Sequence, residues 1–455
     1  MRSDDAQMPP GVPAPGSTPS APTAHPPPGS FPPVTRKEIF AWCCFDFANS
    51  SFTTVLVSVV FVATFTNVLA PAESADSLWG LAIFIAQLVV VVLSPFLGAW
   101  ADIFAAKKKL LFCSYITCVV FTASLWFFGP GAWQMAMACF IIAYIAFSLG
   151  ENFTASFLPE LATPANIGRI SGYGWSFGYL GGLASLGLCF PLIGGGFTAG
   201  NLASLQLTNL VVAVFFAITA IPTFVFLHER ALPRPDRPAA GALFVGIWAQ
   251  VFGTLRKMAL NNGLRTAFGS FFLYMCGVCV IITYSTPFAI KALGMQGKEL
   301  ILLFLIIQVT SAIGAFLFGF VQDKVGSIRT LQITLVIWTL VVIAASMVCT
   351  GTQFMILGNL AGLVIGATQA ASRALVAQLA PESQHAEYFG LWALFGKLAG
   401  GCGPLLFGLL IGGPEDYPFA LCVTTVFFLA GLVWLSIGAE DLAAQTKRVA
   451  ETGRA

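Results

Sequence analysis

The chain has 455 residues, of which 57% are hydrophobic and only 9% are charged, and its mean hydropathy is +0.85. Soluble globular proteins carry about 25% charged residues, so a water-soluble fold around one apolar core is excluded and a lipid bilayer is the expected surrounding. The formal net charge of +2, from 22 basic and 20 acidic residues, gives no indication of a nucleic-acid partner.

The first predicted element is a proline-rich tail over 1–35. Eleven of these 35 residues are proline, and Gly, Ala, Ser and Thr fill much of the remainder. The segment lacks the apolar run of a secretory signal peptide, and it has too little apolar surface to fold. We therefore expect a disordered tail on the cytoplasmic side.

Long apolar runs separated by short polar breaks follow the tail. A helix needs about 20 mostly apolar residues to cross a bilayer. Twelve runs meet this requirement and predict an all-α membrane protein with twelve transmembrane helices. The predicted spans are 39–69, 77–101, 109–128, 132–157, 172–193, 204–227, 266–290, 299–321, 329–349, 353–379, 387–411 and 417–438.

The longest internal break, 228–265, divides the spans into two six-helix bundles over 36–227 and 266–438. Within this break, 242–257 carries apolar residues at helical spacing but is too short to cross a membrane, which predicts an amphipathic helix at the cytoplasmic interface. The residues after the last span, 439–455, are predicted to form a second cytoplasmic tail.

The basic residues indicate how the spans are oriented. With the first span starting in the cytoplasm, 18 of the 22 Lys and Arg residues fall on the cytoplasmic side. Positive charge marks that side of a membrane protein. Both termini are therefore predicted to be cytoplasmic.

A repeat relates the two bundles. GAWADIFAAKKK (98–109) follows the second span and GFVQDKVGSIRT (319–330) follows the eighth, 221 positions later, and both place Asp four residues after Gly and then basic residues. Two parallel six-helix repeats with a site at their interface are a known transporter design. The marked positions are Gly98, Asp102, Gly319, Asp323 and Lys324.

These loops resemble those of the major facilitator superfamily. AWCCFDFANSSF (41–52), SFLPELATPANIGRISGYGWSFGYLGG (156–182), GATQAASRALVAQLAP (366–381) and EYFGLWALFGKLAGGCGPLLFG (387–408) are similar to its vacuolar effluxer-like, autophagy-related branch. The resemblance implies a secondary transporter with alternating access and loops that latch helix ends. Because Ile103 and Ala105 depart from the loop pattern, it also implies a weaker first latch.

Four ionisable residues lie well inside predicted spans: Asp46, Glu151, Arg373 and Lys397. At 1.5 Å of rise per residue, all four lie roughly 10–15 Å from the cytoplasmic side. Two acids belong to the first bundle and two bases to the second. A charge inside a membrane usually faces a partner or a watery cavity, and the resemblance places spans 1, 4, 7 and 10 around such a cavity.

Trp42, Asp46, Asn49 and Thr53 form one stripe on the first span and are predicted to line a central pathway. Four interpretations of the charged residues stay open. They close an inner gate, they bind a zwitterionic solute, Asp46 or Glu151 carries a proton, or they are fixed packing pairs and snorkelling side chains.

Asn152, Tyr179 and Gln369 are weaker candidates for the same pathway. The chain has no P-loop, His-metal cluster or nucleophile elbow, so we expect no catalytic residues, metal or cofactor. The sequence therefore favours a monomeric secondary transporter of a small solute, most simply an amino acid or related zwitterion, with proton coupling left open. The alternatives are larger solutes such as peptides or siderophores, or a channel. We expect a bacterial inner membrane, or a vacuolar membrane in a eukaryotic host.

Overall fold

The computed structural model describes residues 33–233, 243–295, 297–410 and 416–452. The predicted proline-rich tail lies outside these residues apart from its last three positions. Within the described ranges, twelve helical segments are long and apolar enough to cross a membrane. They correspond one to one with the twelve predicted spans.

The helices of the first half are α1 (Arg36–Ser51), α2 (Val60–Thr64), α3 (Ala75–Phe104), α4 (Lys107–Ser124), α5 (Trp133–Ala155), α6 (Leu158–Leu161), α7 (Ile167–Ile193), α8 (Leu202–Thr219) and α9 (Ile221–Phe226). Short 3₁₀ turns follow α4 and precede α8. The first span is composite, because π-helical segments at Phe52–Val59 and Phe65–Leu69 flank α2.

The helices of the second half and its flanks are α10 (Leu243–Leu260), α11 (Asn262–Lys291), α12 (Gly297–Val325), α13 (Ser327–Ala345), α14 (Gly351–Leu379), α15 (His385–Gly408), α16 (Tyr417–Ile437) and α17 (Ala439–Thr452). Local sequence fixes several of their starts. The Asn261 side chain accepts a hydrogen bond from the Leu264 amide at the start of α11, and Thr350 does the same for Gln353 at the start of α14.

The most extensive contacts between the two halves are made by two pairs of helices. The second span (α3) packs on the eleventh (α15), and the fifth (α7) packs on the eighth (α12). The repeat relates the second span to the eighth and the fifth span to the eleventh, so the two pairs are equivalent to each other. The predicted fold class, twelve helices in two pseudo-symmetric six-helix bundles, is confirmed.

We call the end of the molecule at which α3 meets α4 and α12 meets α13 the basic end, because Lys107–Lys109, Lys324 and Arg329 lie there. At this end the chain after the last span differs from a simple tail. It forms α17, which packs against α11 and α14 and buries Leu442 completely. The predicted amphipathic segment in the central break is also helical, as α10.

Candidate functional site

A cavity of about 440 Å³ lies between the two halves, on the side away from the basic end. Its walls come from the first span and from α7, α11, α12, α13, α14 and α16. Three of the sequence-predicted residues line it, namely Thr53, Tyr179 and Gln369. Further polar lining comes from Ser50, Thr54, Ser58, Ser285, Thr286, Gln308 and Ser311.

The polar wall of the first span includes a π-helical segment. Up to Ser51 the span is α-helical, and from Phe52 to Val59 it is π-helical. Thr53, Thr54 and Ser58 of this segment line the cavity. Such π segments often occur at functional sites.

An ion pair, which we call the charged floor, lies beneath the cavity without lining it. The Arg373 Nη1 atom lies 2.7 Å from Asp46 Oδ2, joining α14 of the second half to α1 of the first. Arg373 is 3% exposed. Its Nη2 donates to the Ser171 carbonyl oxygen at 2.8 Å, which adds a third helix, α7, to the same contact.

Two tryptophan rings make cation–π contacts with the guanidinium. Its Cζ atom lies 4.8 Å from the centre of the Trp42 ring and 5.2 Å from that of Trp175. Trp42 is held in place because its Nε1 donates to the Thr154 carbonyl oxygen at 2.7 Å. Trp175 also lines the cavity, so the Arg373 ion pair lies directly beneath it. Cation–π contacts of this kind add stabilisation to a desolvated arginine.

The other two predicted charges do not form an ion pair. The Lys397 Nζ atom lies 3.5 Å from the Tyr144 hydroxyl and 5.2 Å from the centre of its ring. Glu151 has no hydrogen bond or ion pair within the described part of the chain. The charges near enough to interact with it are those of Lys397, Asp46 and Arg373. Glu151 therefore lies near both bases of the second half, but the ion pair is formed by Asp46 and Arg373.

Two predicted pathway residues lie away from the cavity walls. Asn49 is 6% exposed, and its Oδ1 atom has no hydrogen-bond partner among the described residues. Asn152 is also 6% exposed and donates from Nδ2 to the Ser94 hydroxyl at 2.9 Å, joining α5 to α3. Their geometry is that of interhelical packing, and a role in the pathway stays a prediction.

The two predicted latch loops make matching contacts at the basic end. Asp323 accepts hydrogen bonds from the Gly168 and Arg169 amides at the start of α7, at 2.9 and 3.3 Å. Asp102 accepts from the Ala386 and Glu387 amides at the start of α15, at 3.1 and 2.8 Å. A carboxylate at a helix N-terminus binds the free amides and the positive end of the helix dipole.

The glycines of both loops allow this close approach. A β-carbon on Gly319 would lie 2.9 Å from the Gly168 carbonyl oxygen, and one on Gly98 would collide with the Ala386 carbonyl oxygen. Lys324 is exposed and makes no hydrogen bond or ion pair with the described residues. The cation that pairs with Asp323 of the second loop is instead Arg169 of α7, whose Nε lies 2.5 Å from the Asp323 carboxylate.

The expected weakness of the first latch is not seen in its contacts. Lys107, completely buried, supplies the cation that position 103 lacks, with Nζ 3.7 Å from Asp102 and 2.7 Å from Glu160. In the sequence, Lys107 is one of three adjacent lysines, and this pattern predicted the orientation of the spans but no contact of Lys107.

The sequence also did not predict the contacts of Ser171, Trp175 and Gln308, because these contacts are made with helices far apart in the chain.

The Asp46 contact joins the halves between the cavity and the basic end. The Asp102 and Asp323 contacts join them at the basic end itself. The structure is therefore closed at the basic end and has its cavity toward the opposite end. Within the described ranges, no group of three or more His, Cys, Asp or Glu side chains could hold a metal ion.

Comparison with known proteins agrees with this architecture. A family profile described as "Vacuole effluxer Atg22 like" matches residues 74–447. The chain is 25% identical over 416 residues to the uncharacterized MFS-type transporter YxiO of Bacillus subtilis, covering 89% of this chain and 95% of that protein. It is also 25% identical over 264 residues to autophagy-related protein 22-1 of Emericella nidulans, covering 53% of this chain and 45% of the fungal protein.

The fold is similar to the crystal structure of the major facilitator superfamily transporter FucP in the outward conformation. The TM-score is 0.68, and the match covers 88% of this chain and 98% of that one at 13% sequence identity. At this identity the likeness concerns the fold alone.

Proposed function

Since the chain belongs to the vacuole effluxer Atg22-like family and is a secondary transporter of the major facilitator type rather than an enzyme, we propose that it carries a small zwitterionic solute by alternating access. An amino acid is the simplest such solute. The observation that carries this proposal is the Asp46–Arg373 ion pair, which joins the two halves beneath the cavity.

The ion pair acts as an inner gate. To open the basic end, the halves must separate, and Asp46 must leave Arg373. Separating two desolvated charges is unfavourable unless each finds another partner. A solute with one ammonium and one carboxylate group offers each residue a replacement partner, since carboxylates bind guanidinium groups and ammonium groups bind carboxylates. The solute therefore lowers the cost of opening.

The cavity supports a small solute over a large one. Its volume of about 440 Å³ falls in the lower part of the range of about 300–1,000 Å³ found for small-molecule pockets. A peptide or siderophore would need the walls to move apart first. The contacts at the basic end support a carrier over a channel, because they hold the two halves together between the cavity and that end.

The charge distribution supports a cytoplasmic basic end, because positive loops mark the cytoplasmic side. On this assignment the structure is outward-facing, and both termini lie in the cytoplasm. The similarity to a bacterial relative over 416 residues, covering 95% of that protein, supports the membrane of a bacterium.

The gate is tested by removing or exchanging the charges of Asp46 and Arg373 in the reconstituted protein. Asp46→Asn and Arg373→Ala should each reduce counterflow of a labelled amino-acid mixture at least tenfold, the equivalent of about 1.4 kcal/mol. The double variant Asp46→Arg/Arg373→Asp should recover part of the loss, and Arg329→Ala, which removes an exposed cation, is the control. Normal counterflow by both single variants would reject the gate.

The solute class is tested with matched analogues. Each competing amino acid is compared with its decarboxylated amine and with the carboxylic acid that lacks the amino group. The zwitterion should compete at least tenfold better than either analogue, because each analogue leaves one member of the ion pair without a partner. Equal competition by a singly charged analogue would exclude the zwitterion.

We also propose Glu151 as the site of proton coupling. It faces the charged floor but has no hydrogen bond or ion pair within the described residues, so it is free to change its protonation state without breaking a contact. Glu151→Gln should abolish the dependence of uptake on a pH gradient and leave counterflow intact. If uptake by the unmodified protein does not depend on the pH gradient, the proposal of a proton site is rejected.

A further inference from the structure

Helix α10 has one face against the protein and another that nothing in the described structure covers. Ile247 and Val251 are buried against Ala99 and Ile103 of α3. The neighbouring large apolar side chains stay exposed: Phe244 is 66% exposed, Val245 69%, Phe252 62% and Leu260 74%. A water-facing helix would not carry so much exposed apolar surface.

The exposed apolar face of α10 continues a lipid-facing surface. Helix α3 carries a row of exposed apolar side chains at four-residue spacing: Phe84, Leu88 and Val92. At Phe96 this row passes under α10, where the centre of the Phe96 ring lies 5.4 Å from that of Phe244 and 5.8 Å from that of Trp248. Helix α10 thus replaces lipid at the basic end of α3 and presents its own apolar side chains beside it.

The charge of α10 is entirely positive. Its sequence, LFVGIWAQVFGTLRKMAL, has no acidic residue. The side chains of Arg256 and Lys257 are exposed and form no hydrogen bond or ion pair with any described residue. A helix with an apolar face and basic residues lies in the plane of a membrane interface, and its cations bind anionic headgroups.

Helix α10 also contacts the closed basic end. Gln250 Nε2 donates to Glu387 Oε2 at 2.5 Å, and Gln384 Nε2 donates to the same oxygen at 3.0 Å. The amide of Glu387 is one of the two that Asp102 binds. A single residue at the start of α15 therefore connects α10 with the first latch.

From these observations we infer that α10 is a docking surface for anionic lipid. The apolar face enters the acyl region, Arg256 and Lys257 bind lipid phosphates, and the helix so held keeps Gln250 on Glu387. Anionic lipid then stabilises the state that is closed at the basic end. The inference does not depend on which solute is carried.

Hydrogen exchange of the full-length protein in nanodiscs tests this inference. Discs of phosphatidylcholine are compared with discs in which about one third of the lipid is phosphatidylglycerol. The anionic lipid should slow exchange in 243–260 and in 385–393 roughly thirtyfold, as expected for two cations at an anionic surface. Arg256→Gln/Lys257→Gln should lose the effect on both segments.

Two controls make the test specific. Arg329→Gln/Lys447→Gln removes the same charge from other helices of the basic end and should keep the effect. Gln250→Leu should keep the slower exchange in 243–260 but lose it in 385–393. Three results would overturn the inference. Hydrogen exchange could be the same in neutral and anionic discs, or the slower exchange could persist in Arg256→Gln/Lys257→Gln. Inorganic phosphate added to phosphatidylcholine discs could also slow exchange as much as the anionic lipid does.

Discussion

Gly174 decides whether the charged floor can form. It lies on α7 where that helix passes the ion pair, and a β-carbon there would collide with Arg373 Nη2 and Asp46 Oδ2. The same β-carbon would also lie 2.8 Å from the Trp42 ring. Only glycine leaves room for three helices to meet at one guanidinium.

Gly174→Ala should therefore displace Arg373 and impair the gate. We expect counterflow to fall at least tenfold and the free energy of unfolding to fall by about 1–3 kcal/mol, the usual cost of overpacking. Reconstituted transport and a thermal melt measure the two effects.

Gly187→Ala is the matched control on the same helix, because nothing lies within 4 Å of the added carbon. It should leave transport unchanged and stabilise the helix by up to about 1 kcal/mol. A loss of transport in this variant equal to that of Gly174→Ala would show that any alanine in α7 is harmful.

At the scale of elements, two helix starts connect the halves. The amides at the N-termini of α7 and α15 each point at a carboxylate from the other half, Asp323 and Asp102. A helix end in a low-dielectric region needs such partners for its free amides. The repeat in the sequence identified both aspartates but not the helix ends that they bind.

Asp102→Asn should loosen the start of α15 and open the basic end more often. A hydrogen bond to a charged group contributes about 1.5–3 kcal/mol, so exchange of the amides in 385–390 should speed up at least tenfold. Hydrogen exchange of the purified protein provides the measurement.

Asp323→Asn is the matched comparison and should act on 167–170 in the same way. If each variant loosens only its own helix, the two latches open independently. Unchanged exchange at both helix starts would mean that the carboxylates do not hold the halves together.

At the scale of the whole molecule, the structure is closed at one end. The contacts through Asp46, Asp102 and Asp323 close the basic end, and the 440 Å³ cavity lies toward the other. Hydropathy predicted the number of helices because each bilayer crossing must satisfy its own backbone and expose apolar side chains. Which end is closed depends on contacts between residues about 150 to 330 positions apart.

The orientation of the molecule gives a prediction at this scale. A fluorescent protein fused after residue 452 should be fluorescent in cells, and alkaline phosphatase fused at the same point should be inactive, because positive loops keep that end in the cytoplasm. Active phosphatase at the C-terminus would reverse the orientation and make the present state inward-facing.

The sequence by itself determined that this protein lies in a membrane, crosses it twelve times and carries opposite charges in its two halves. These properties are local, since apolar run length, basic loops and a repeated motif are read without knowing what each residue contacts. Only the tertiary structure decided that Arg373 pairs with Asp46 while Lys397 contacts Tyr144, that Lys107 replaces a missing cation, and that part of the first span is π-helical. Those outcomes depend on distances of a few ångströms between separate helices, which no pattern along one chain specifies.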